Sequence, residues 1–80
     1  MSDVEIVIHL RDAAPIRIAL PGVPAHEAEE DRQTLLYDLD EARLAEVPLL
    51  SVQTKSGYPT EPLAIDPLDV TEIDLVDATD

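Results

Sequence analysis

The 80-residue chain sets 18 acidic residues against 5 basic ones, a formal net charge of −13, and contains no cysteine. That length suits one domain, 1–80. The missing thiols exclude disulfide stapling and thiolate metal centres, and the charge excludes binding nucleic acid or an anionic membrane by surface attraction. Ile, Leu and Val together number 24, well above the content of charged disordered chains, so a globular fold is expected.

Val4, Ile6, Ile8 and Leu10 alternate with Glu5, Val7, His9 and Arg11, and period two predicts a half-buried strand. Asp12-Ala13-Ala14-Pro15 reads as a turn, and Ile16, Ile18 and Leu20 give a second strand, most simply hairpinned with the first. Pro21-Gly22 stops it.

From Pro24 to Glu46 the period changes. Glu27, Glu29, Glu30 and Asp31 place negative charge where a helix N-terminus favours it. Ala28, Leu35, Leu39 and Ala42 recur at helical spacing, with Leu36 and Tyr37 beside that stripe. Asp38 followed by Glu41 also has the form of a capped helix start. A break there, with Thr34 to Tyr37 extended, is the alternative to one continuous helix.

Leu49 to Thr54 predicts a third strand, Lys55 to Pro59 a turn, and Leu63 to Ile65 a short edge strand between Pro62 and Pro67. Val70 to Val76 predicts a fifth strand, with Ile73 and Leu75 opposed to Glu72 and Asp74, and 77–80 a frayed tail. The expected fold class is therefore α+β, in the order ββαβββ, a predominantly antiparallel sheet packed on one helix.

Catalytic signals are weak. His9 and His26 lack a His or Cys at chelating spacing, and His26 reads as a solvated residue of the first helical turn. No serine lies in a Gly-x-Ser-x-Gly context, and two glycines cannot build a phosphate-cradling loop. Carboxylate pairs are too abundant to single out. No calcium loop fits, because Arg43 falls where the run from Asp38 needs glycine. The expectation is a chain with no enzymatic activity, no cofactor and no specific metal site.

With no apolar run near the ~20 residues of a membrane span and no leader-like segment, a cytoplasmic location is the default reading. Small cores such as this often gain stability by association, so a homodimer is plausible.

The charge is uneven. Residues 24–47 carry −6 and residues 61–80 carry −7, while residues 48–60 hold only Lys55. The non-acidic loop with Lys55 and Tyr58 is therefore the expected contact point for a protein partner, for which the charge allows a basic surface, making the chain a small binding or inhibitory protein. Tyr58 equally suits folding back over the sheet end. The alternative surface is the acidic one, Glu27, Glu30 and Asp31 on the helix with Glu72 and Asp74 on the last strand, which would imitate nucleic acid toward a DNA- or RNA-binding protein. A third reading is a structural subunit of a homo-oligomer.

Overall fold

A computed structural model describes residues 3–77. The elements are β1 (Val4–Leu10), β2 (Ile16–Leu20), α1 (Ala25–Leu44), β3 (Leu50–Val52), β4 (Leu63–Ile65) and β5 (Val70–Asp77). β1 lies between β2 and β5 and pairs antiparallel with both. Asp77 is thus strand rather than frayed tail, aligned with Val4; residues 78–80 of the expected tail lie outside the described residues.

The alternation read in β1 and β2 sets the sheet register. Ile6 stands between Ile18 and Leu75, and Ile8 between Ile16 and Ile73, so the β-branched residues of three strands share one face. α1 covers that face, and Ile6, Ile8, Ile18, Leu20, Ile73 and Leu39 belong to one core cluster. Each fully buried Ile or Leu contributes about 1.5–3 kcal/mol. The core therefore holds without a Phe or Trp.

β5 departs from strict alternation. His9 aligns with Glu72 but Leu10 aligns with Val70, leaving Thr71 as an extra residue. That bulge resets the strand's parity. Val70 and Ile73, three apart, both reach the core, while Glu72 and Asp74 occupy the outer face.

The expected single sheet is divided. β3 and β4 form their own two-stranded antiparallel sheet, in which Leu50 aligns with Ile65 and Val52 with Leu63. Both strands are three residues long and lie close to Pro48, Pro62 and Pro67, which lack a backbone donor for further pairing. Val52 and Ile65 still join the common core.

α1 is one helix that runs straight through Asp38, so the alternative break does not occur. Ala28, Asp31, Leu35, Leu39 and Ala42 form its buried stripe, and continuing the helix buries Leu35 and Leu39 on the same side. Pro24 precedes the first turn without a side-chain cap, and Glu27 supplies the acid there. At the other end the Glu46 N–H donates to Arg43 O at 3.2 Å and the Val47 N–H to Ala42 O at 3.0 Å. These bonds form a Schellman closure, with Glu46 in the left-handed region at φ 55°.

Arginines fasten α1 and β1 to the segment leading into β5. Arg43 donates from Nε to Pro67 O and from Nη2 to Val70 O, Arg11 donates to Leu68 O, and Arg32 donates to Ile73 O. Arg32 also grips Glu29 through both carboxylate oxygens. That hydrogen bond is the main reason the Glu29 carboxyl sits below its usual range. No helix among the described residues is long and apolar enough to cross a membrane.

Candidate protein interface

The loop and the helix acids proved to be neighbours. The turn after β3 closes on Thr54, whose N–H donates to Tyr58 O at 2.9 Å while its hydroxyl accepts from the Tyr58 N–H at 3.2 Å. Gly57, at φ 87°, allows the reversal. Ser56 then donates from Oγ to Asp31 Oδ2 at 2.7 Å, which pins the loop to α1. Asp31 is only 2% exposed. It serves as an internal anchor and is removed from the acidic surface expected of it.

Tyr58 is half-buried and packs against the core, folded back in the second of the two arrangements read from the sequence. Lys55 remains exposed. It faces a shallow groove of about 400 Å³ lined also by Glu30, Gln33, Thr34 and Tyr37, and an adjoining one of about 290 Å³ that Glu27 and Ser56 share. The Glu41 and Asp38 carboxylates hold the exposed Tyr37 phenol above its ordinary pKa. This end of α1 is polar, and much of its hydrogen bonding is internal.

Glu72 and Asp74 are separated from the helix acids by the sheet. They sit on its outer face beside His9, whose Nε2 lies 3.0 Å from Asp74 Oδ2. Across β1, Arg17 meets Glu5 at 3.3 Å. Between these two pairs Val7 is 3% exposed despite its outward parity. Five carboxylates were expected to make one anionic surface. One of them is buried, and the rest are divided between opposite faces.

Uncovered aliphatic side chains that were not singled out as candidate contacts lie at and after the C-terminal end of α1. Leu44 is 86% exposed, Leu68 64% and Leu49 58%. Val47 and Leu68 line a cavity of about 320 Å³ with Ala42, Pro48 and Pro67. Arg43, Glu46 and Asp66 are its charged members, and Arg43 is committed to backbone carbonyls. The available sequence signal was that Leu44 falls off the buried stripe and that Val47 and Leu68 sit where no strand pattern claims them; Leu49 was expected to open the third strand, which begins instead at Leu50. The chain matches no family model, no curated protein and no solved structure.

Proposed function

We propose that this protein is a non-catalytic contact module that binds or inhibits a protein partner through the apolar surface at the C-terminal end of α1. The observation that carries this reading is the exposure of Leu44, Leu49 and Leu68 beside the cavity between Val47 and Leu68. Uncovered aliphatic side chains rimmed by charge are a usual mark of association.

The surrounding charge indicates the partner's chemistry. Glu46 and Asp66 line the cavity, and Asp40 and Glu41 occupy the preceding helical turn. The fitting partner offers apolar side chains flanked by Lys or Arg. A second copy would bring another net charge of −13 to the same contact, which opposes self-association at low salt. Nucleic-acid mimicry is less favoured, because its carboxylates lie on opposite faces and duplex DNA spaces one charge per ~1.7 Å of axis.

The test is capture from native extract by immobilised protein, comparing wild type, Leu44→Ser with Leu68→Ser, Lys55→Ala, and Glu27→Gln with Glu30→Gln. Both leucines are exposed, so the first variant should keep wild-type stability within about 0.5 kcal/mol and still lose its bound protein. Loss confined to the glutamate variant, with steep salt dependence, would reverse the choice in favour of mimicry. A concentration-dependent mass in sedimentation would support the oligomer instead.

A further inference from the structure

The outer face of the three-stranded sheet brings together three groups that the sequence scatters over 65 positions. His9 Nε2, a Glu72 carboxylate oxygen and an Asp74 carboxylate oxygen all lie within 4.8 Å of one another. Strand pairing does what helical chelating spacing could not: His9 aligns with Glu72 across β1 and β5, and Asp74 follows two residues later on the same face. Glu72 and Asp74 lie on the regular side of the bulge, in unbroken register with His9 and Val7, and the extra Thr71 shifts only Val70. The Thr71 hydroxyl donates back to His9 O at 3.3 Å, fastening the bulge to the strand that carries the imidazole.

The geometry points to a binding site for a borderline divalent ion of the zinc class, held by His9, Glu72 and Asp74. One imidazole and two carboxylates form a donor set suited to Zn²⁺ or Co²⁺, and imidazole is a poor ligand for Mg²⁺ or Ca²⁺. Distances agree with that choice. Two ligand atoms each about 2.0–2.1 Å from a tetrahedral ion stand about 3.3 Å apart, close to the 3.0 Å between His9 Nε2 and Asp74 Oδ2. An ion would replace the proton these two atoms share. Glu72, long and exposed, closes as third ligand by a side-chain rotation, and water completes the shell. Two paired strands hold His9 and Asp74, so little ordering cost remains. The site lies on the far side of the sheet from α1 and is independent of the proposed partner surface.

Calorimetric titration of the intact chain with zinc chloride, in excess millimolar magnesium to saturate loose carboxylates, tests the proposal. The expected result is one equivalent bound, with affinity falling at least about tenfold in His9→Gln, Glu72→Gln and Asp74→Asn and unchanged in His26→Gln. Cobalt added to the wild-type protein should broaden the His9 ring resonances in NMR and spare those of His26. That mapping decides the matter even if a variant folds poorly. Zinc binding as tight in His9→Gln as in wild type, complete displacement by magnesium, or broadening centred on His26 would overturn the assignment.

Discussion

The two ends of α1 resolve the same problem in opposite ways. Near its N-terminus a loop from 25 residues further along the chain is drawn down by the Ser56–Asp31 hydrogen bond, and the groove beside it is lined by polar and charged groups. At its C-terminus the backbone is closed on itself by the Schellman bonds, yet Leu44, Leu49 and Leu68 stay in solvent. Satisfied backbone and uncovered side chains together distinguish this surface from a frayed end. A frayed end would leave the carbonyls unpaired as well.

Both ends of α1 are joined through the middle of the buried stripe. Leu39→Asp attacks that middle, placing a carboxylate where the side chain is buried. The loss should be about 4 kcal/mol or more. That rivals the whole stability of a chain this size at about 0.05–0.15 kcal/mol per residue. Circular dichroism should then show no cooperative melt. A sharp transition that survives would mean the two ends fold independently.

A smaller effect sharpens the N-terminal side. Ser56→Ala and Asp31→Ala each remove one partner of a largely buried pair and should cost about 1–3 kcal/mol in urea unfolding. The double variant should cost less than the two together, by an interaction of roughly 0.5–3 kcal/mol. Additive losses would show that the loop is held by Tyr58 packing alone.

The smallest effect belongs to the C-terminal side and runs the other way. Glu46 holds a left-handed conformation at φ 55°, a strain of roughly 1–2 kcal/mol for a residue with a Cβ. Glu46→Gly relieves it against an unfolded-chain entropy gain of roughly 0.4–1 kcal/mol. Urea unfolding should show a net gain of about 0.5 kcal/mol. A loss would mean that the Glu46 carboxylate makes a compensating contact at this end.

Much of the fold was legible because its signals are local. The alternations of Val4–Leu10 and Ile16–Leu20 and the helical spacing of Ala28, Leu35, Leu39 and Ala42 place three of the buried aliphatic faces without knowledge of any distant residue. What could not be read depends on partners far along the chain. Asp31 looked like one acid in a run of four, and only Ser56, in a loop beyond β3, makes its burial tolerable. The unpaired Thr71 inverts the parity at one end of β5, so strict period two would turn Val70 outward. His9 has no chelating neighbour in sequence and finds two across the strand pair. The apolar surface was missed because Leu44 and Leu68, each alone among polar residues, look like ordinary exposed aliphatics until the helix end and the turn after β4 meet.

Lys55 is the only lysine in the chain, and among the described residues its ammonium is the one basic side chain apart from His26 with no hydrogen bond or ion pair. Acylating agents, aldehyde crosslinkers and lysine-directed conjugating enzymes therefore find a single side-chain amine, presented in the groove beside Glu30 and Tyr37. Acetylation there would take one positive charge from a surface that has few and leave two carboxylates, Glu27 and Glu30, facing a neutral amide. A fold that commits three of its four arginines to backbone carbonyls thus keeps one lysine handle, at the opposite end of α1 from the surface proposed for docking.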